Sequence, residues 1–217
     1  MRRGGIAAAL VATAVGVSGC NYSRSGAPDL HFADWKTEPP RGNVVTVCHA
    51  YGCQRTSRVS FSRADVKAIG DVMRKTKKAD TPAEERRAIA YAIAWIEKKV
   101  GAKLGTSADR PGMDYRASGD PTQQDCVDEA TNTTAYLMFL HSKGLIKYHT
   151  VQIPFSKGNI LRGVKYWPHW TAVLEETNGG QRYAVDSWIY KNGENPAIVK
   201  VEEWYINDLD NLPGPTT

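Results

Sequence analysis

The chain has only four cysteines among its 217 residues, and no two stand in the Cys-x2-Cys spacing of structural zinc. It has no apolar run of the ~20 residues that a membrane-spanning helix needs. It has no internal repeat and no second block of distinct composition, which argues against a solenoid or a chain of several domains. Nor does it carry a basic stripe interleaved with aromatics. The formal net charge is +5, and +3 once Arg2 and Arg3 are set aside, too weak a bias to argue for nucleic acid.

Arg2 and Arg3 precede an apolar, small-residue stretch from Ile6 to Val17 that holds no acidic side chain. A charged head and a short hydrophobic middle make an export signal over residues 1–19. Val17-Ser18-Gly19-Cys20 resembles the lipobox of bacterial lipoproteins, which implies that Cys20 becomes the acylated first residue of a lipid-anchored protein of the periplasm or cell envelope. Ordinary secretion after cleavage nearby is the alternative. Residues 20–43 are largely polar, with Pro28, Pro39 and Pro40, and read as a flexible tether. The remainder, 44–212, has the length of one domain.

The other cysteines divide by spacing. Cys48 and Cys53 lie across His49-Ala50-Tyr51-Gly52, where Gly52 permits a tight turn, and an exported protein favours a disulfide between them. A metal site on Cys48, His49 and Cys53 is the competing reading. Cys126 is left over, and a lone thiol in an exported protein invites attention as a reactive group.

Val44-Val45-Thr46-Val47 and Arg58-Val59-Ser60-Phe61 read as a small hairpin around that turn. Ser62 with Asp65 and Thr81 with Glu84 match the capping box and should each open a helix. In the second, Ile89, Ala92, Ile93, Ile96 and Val100 recur at helical spacing, and Gly101 supplies a stop, which predicts a helix over 85–100 with Trp95 packing beside its stripe. Lys103 to Thr122 is rich in Gly, Pro and Asp and reads as a long loop leading to Cys126. Either Thr122 or Asp125 caps the next helix, which runs to about Lys143 before Gly144. Both choices put Cys126 in its first turn, where the positive end of the helix dipole should lower the thiol's pKa. The apolar run Tyr136 to Leu140 marks this as a central helix. Asp125, Asp128 and Glu129 beside the cysteine would oppose thiolate formation unless turned away.

His169-Trp170-Thr171-Ala172-Val173-Leu174 and Arg182 to Trp188 read as two strands joined by an Asn178-Gly179 turn. With those two residues at the turn's centre, Asp186 lies opposite Thr171, and His169 and Asp186 become diagonal neighbours on one face, ~7–8 Å apart between backbones. A slip of one residue would separate them. Cys126, His169 and Asp186 then supply a nucleophile, its base and the group that orients the base. Of the other histidines, His31 falls in the tether, His49 in the disulfide turn and His141 about four turns from Cys126. His149, at the start of a further strand, is the rival base, without a hairpin-linked carboxylate.

A helix-borne Cys126, then His169 opening one strand and Asp186 on the next, resembles the transglutaminase-like cysteine proteinase superfamily, especially its exported bacterial members, over roughly Ala83 to Trp188. The resemblance implies an α+β, papain-like fold in which the nucleophile helix packs on an antiparallel sheet. It implies attack by Cys126, protonation of the leaving amine by His169, and a thioacyl enzyme resolved by water or an amine. Gln124, with the Cys126 amide, would help to hold the oxyanion. A narrower likeness, to periplasmic proteases that bind calcium through acids beside their cysteine, makes Asp125 and Asp128 calcium candidates. Val127, where those proteases carry an acid, and an ordinary capping role for both aspartates weigh against it.

Two classes of function follow. One is a monomeric cell-envelope cysteine hydrolase acting on protein or peptide, with transamidation as its variant. The other is a non-catalytic envelope-binding lipoprotein of the same fold. Tyr166, Trp167, Trp170, Trp188 and Tyr190 would line a cleft for polypeptide or sugar in either case.

Overall fold

The computed structural model describes residues 25–158, 168–207 and 212. The expected export signal, Cys20, Tyr166 and Trp167 lie outside these residues. Among the described residues no helix is long and apolar enough to cross a membrane.

The architecture is α+β. After a short helix α1 (Asp29–Asp34), strands β1 (Val44–His49) and β2 (Arg55–Ser60) form an antiparallel hairpin. Helices α2 (Arg63–Thr76), α3 (Pro82–Leu104) and α4 (Cys126–Ser142) follow. A four-stranded antiparallel sheet comes next, in the order β3 (His149–Lys157), β4 (His169–Glu176), β5 (Arg182–Asp186), β6 (Ala197–Lys200). Helix α5 (Val201–Ile206) closes the described chain.

Local chemistry accounts for most boundaries. Ser62 and Asp65 form the reciprocal capping box that starts α2. Thr81 caps α3 through the Glu84 amide, but the Glu84 carboxylate turns back to the Lys78 amide, so only half of the expected box forms. Asp125 is the N-cap of α4, its carboxylate accepting from the amides of Val127 and Asp128 while Asp128 reaches back to the Asp125 amide.

Two boundaries differ from expectation. Helix α3 does not stop at Gly101 but continues to Leu104, where Gly105 takes the left-handed conformation (φ 88°) and ends it. Gly101 serves close approach instead. A Cβ there would lie 2.5 Å from Asn192 Oδ1, distant in sequence, and 2.9 Å from the Ser107 backbone nitrogen in the turn that follows the helix. Gly101→Ala should therefore destabilise the protein, by about 1–3 kcal/mol of overpacking, against a gain of about 1 kcal/mol in helix propensity. Chemical denaturation would measure it, and a stabilised variant would contradict this reading.

The second difference is the segment read as a tether. Residues 25–43 are built into the domain from Gly26 onward, whose carbonyl accepts from the Ile153 amide at 2.9 Å. Phe32 enters the main core, and buried His31 meets Thr131 Oγ1 on α4 at 2.8 Å. Three aromatic rings in ten residues outweigh the prolines: Phe32, Trp35 and the imidazole of His31 have apolar area to bury.

Helix α4 is the centre of the molecule. It packs on β3, β4 and β5 and on β1, and every residue from Cys126 to Leu140 except Met138 is buried. The main core joins Val45, Val47 and Phe61 to Ile89, Ile93 and Ile96 of α3 and to Tyr136, Leu137, Phe139 and Leu140 of α4. Strand alternation splits the sheet's side chains. Ala172, Leu174 and Val185 join the main core, whereas Phe155, Val173 and Ala184 pack with Val201 and Trp204 of α5 in a second, smaller one.

Candidate active site

The β4–β5 register is the one the sequence predicts: Ala172 pairs with Val185, Val173 with Ala184 and Leu174 with Tyr183. The connection is longer than a two-residue turn. The Glu176 amide donates to the Gln181 carbonyl and the Gly180 amide donates to the Glu176 carbonyl, so four residues make the bend without shifting the ladder. Beyond the last pair, Asp186 one residue on and His169 three residues back meet diagonally, with Nε2 2.6 Å from Oδ2 and both side chains buried. The same carboxylate oxygen accepts from the indole Nε1–H of Trp204 at 2.7 Å. An indole nitrogen only donates, so Oδ2 acts as an acceptor and the imidazole carries its proton on Nε2. Nδ1 is left buried and without a hydrogen-bond partner, as a base awaiting a proton would be. Two indoles flank the ring, Trp188 at 4.6 Å and Trp204 at 5.5 Å between centroids.

Cys126 arrives at the same place from α4. Its thiol lies 3.7 Å from the Pro168 carbonyl and takes a hydrogen bond from the Trp170 amide, the backbone on either side of His169. Trp188 packs with both the sulfur and the imidazole. The thiol is not hydrogen-bonded to Nδ1. It is 3% exposed, walled by Val127, Trp188, Trp35, Met113 and Trp170.

Burial reverses the expected effect of the helix start. Loss of solvent pushes the Cys126 thiol up to about 12, reinforced by the charges of Asp125, Asp186 and Asp128, and the Trp170 amide opposes this only in part. In this state the sulfur is a thiol. Thiolate formation requires His169 to take the proton or solvent to enter.

The aspartates beside the cysteine serve a turn. Ala50, Tyr51, Gly52 and Cys53 all have left-handed backbone (φ 71°, 71°, 59° and 55°), and Cys48 and Cys53 are joined by a disulfide across it. Asp128 accepts from the amides of Tyr51 and Cys53, each at 2.7 Å, and Asp125 from that of Gly52 at 3.0 Å. Burial pushes both carboxyls up, and the charge of Asp125 pushes Asp128 further, while the amides pull back. All four oxygens thus face N–H donors. The Sγ atoms of Cys48 and Cys53 and a carboxylate oxygen of Asp128 lie within 4.8 Å of one another, but the sulfurs are spent on the disulfide.

Gln124 is brought close but aimed elsewhere: Nε2 donates to the Cys48 carbonyl at 3.2 Å, beside Asn132 on the same oxygen. His49 bridges the Pro121 carbonyl and Ser57, and His141 is exposed at the end of α4. The rival His149 does have a carboxylate, supplied by a helix instead of a hairpin. Its Nδ1 lies 2.9 Å from Glu85 Oε1, and Arg86 faces Nε2. Burial raises the Glu85 carboxyl, but His149 and the amides of Lys147 and Tyr148 outweigh it and hold it low. With both ring nitrogens engaged, this is a buried brace between α3 and β3.

Behind the site lie three further acids. Ser187, next to Asp186, donates to Glu129 Oε2 at 2.8 Å and meets Thr133 at 3.0 Å; Glu97 accepts from the Gly193 amide at 2.9 Å; Asp109 accepts from the Gln124 amide at 2.7 Å. Burial pushes Glu97 up to about 8 and Asp109 up to about 7. An acid whose pKa is raised by folding stabilises the fold below its unfolded pKa, and that stability is lost as pH rises to the folded value. Melting temperature should therefore fall between about pH 4 and pH 8 from these groups, and Glu97→Gln should flatten the slope. A slope unchanged in that variant would contradict the assignment.

Sequence alone does not point to Trp204 or Glu97, nor to the bond of Glu129 with Ser187. The first stands on a six-residue helix with no motif, and acids on the core stripes of α3 and α4 were the only signal for the others. Comparison with protein-family models, with curated proteins and with solved structures returned no match.

Proposed function

We propose that this protein is a cell-envelope thiol acyl-transfer enzyme, a cysteine peptidase or amidase of papain-like, transglutaminase-like fold. The reading rests on one observation: the buried 2.6 Å bond from His169 to Asp186 leaves Nδ1 bare on the ring whose flanking backbone holds the Cys126 sulfur. In the reaction Nδ1 takes the thiol proton as sulfur attacks the carbonyl carbon. The tetrahedral oxyanion collapses as His169 returns that proton to the leaving amine. Water, deprotonated by His169, then cleaves the thioester, and an amine in place of water gives transamidation. The Cys126 amide, in the first turn of α4, is the oxyanion donor in this scheme, with Gln124 adding its second amide hydrogen. The lipobox-like Val17-Ser18-Gly19-Cys20 supports a lipid-anchored enzyme of the cell envelope, and its substrate in this reading is protein or peptide. Asp125 and Asp128 are given to the disulfide turn, and calcium has no part in the scheme.

The second reading, a binding lipoprotein with an idle triad, is favoured by the burial of Cys126 and by its thiol having no bond to Nδ1. Iodoacetamide separates the two. An enzyme alkylates at Cys126 faster than free cysteine at mildly acidic pH; ordinary or slower labelling supports the binder. Comparing envelope proteins cleaved or cross-linked by wild type and by Cys126→Ala would then identify the substrate.

A further inference from the structure

We propose that Trp204 is a positioning residue of the reaction, holding Asp186 so that one carboxylate oxygen, Oδ2, faces His169. The inference rests on the acyl-transfer reading above and adds a fourth side chain to it. Trp204 is fully buried, donates Nε1–H to Oδ2 at 2.7 Å, and lays its ring along the imidazole at 5.5 Å. The other carboxylate oxygen, Oδ1, is buried without a partner. Among the described residues Asp186 therefore has two donors, both on Oδ2, and the indole is the one that does not titrate.

Helix α5 is too short to be stable alone, so something must hold Trp204 in place. Lys157, on β3, does so in two ways. Its ammonium donates to the carbonyls of Trp204 and Asn207, which ends α5, and it lies 4.4 Å from the centre of the Trp204 ring. A cation over an indole face draws density from the ring and strengthens its N–H as a donor. Phe155 meets the same ring edge-on at 5.2 Å. The line Lys157, Trp204, Asp186, His169 thus runs from the third strand to the base. The ionisable groups that bear on Asp186 are His169 from β4, Cys126 from α4, Tyr190 from the segment after β5, and Lys157 behind the indole.

Removing the indole donor leaves a buried carboxylate with His169 as its one partner among the described residues. The His169–Asp186 pair should then bind a proton more readily and spend less time with Nδ1 free. The test replaces Trp204 by Phe, which keeps a ring, and by benzothienylalanine, which exchanges the N–H for sulfur at the same shape and guards against misfolding of the first. Two readouts are taken: an NMR titration of the His169 ring, independent of turnover, and hydrolysis of p-nitrophenyl acetate. In both variants the ring's titration midpoint should move up by about one pH unit, kcat should fall about 10- to 100-fold with KM unchanged, and the acid limb of the rate profile should follow the midpoint. An unmoved midpoint in both folded variants overturns the proposal whether or not the protein turns over the ester. A moved midpoint with kcat intact in an active enzyme overturns it too. A midpoint that moves in both variants while the wild type never acylates would retain the positioning contact and reject the acyl-transfer reading.

Discussion

Asp128→Ala is expected to destabilise the protein by about 3–5 kcal/mol, lowering the melting temperature by about 10 °C for a domain of this size. The Asp128 carboxylate, fully buried, satisfies the amides of Tyr51 and Cys53 and reaches that of Asp125. Alanine would orphan these N–H groups where water does not reach. Relief of repulsion with Asp125 returns only part of the loss, because that aspartate is itself bound to three amides. The four left-handed residues from Ala50 to Cys53 would also lose the acceptor around which they curl, and each non-glycine residue in that conformation costs roughly 1–2 kcal/mol. Asp128→Asn keeps the shape but offers one acceptor oxygen where two are used, and should lie between. Thermal melts of the oxidised protein check this. If both variants melt within a degree or two of wild type, the carboxylate does not hold the turn.

His169→Gln is expected to reduce hydrolysis of p-nitrophenyl acetate by about 10^3-fold and to remove any advantage of Cys126 over free cysteine in alkylation. The argument begins from the thiol. A sulfur held near a pKa of about 12 by burial has almost no thiolate of its own at neutral pH, so without a proton acceptor beside it nothing creates the nucleophile. Glutamine preserves bulk between Trp188 and Trp204 and can still engage Asp186, which separates loss of the base from collapse of the stack. A variant that retains most of its rate would mean that His169 is not the base.

Where sequence succeeded, the determinants were local. Period-two alternation through His169 to Leu174 and Arg182 to Asp186, with polar and glycine residues between, fixed the register that joins His169 to Asp186, although the bend itself is wider than foreseen. Asp125 and Ser62 announced their helices because a cap and its partner lie within one turn. Where it failed, distant residues decided. Gly101 looks like a stop until Asn192 is seen against it. The helix-start argument for an acidic thiol was sound locally and was overridden by walls from four other segments, including the Trp35 that composition had assigned to a tether. His149 appeared to lack a carboxylate because Glu85 reaches it across 64 residues from another element. Trp204 shows the same limit, since nothing in Val201–Ile206 signals a bond to Asp186.

The central claim is that Cys126 becomes a nucleophile through His169. Intact-protein mass spectrometry after brief exposure to p-nitrophenyl acetate at mildly acidic pH, followed by peptide mapping, tests it most directly. The account predicts a single acetyl group on Cys126 that forms rapidly in the wild type, decays by hydrolysis, and does not form in His169→Gln. An unmodified Cys126, or acetylation at the same rate in both proteins, would contradict it.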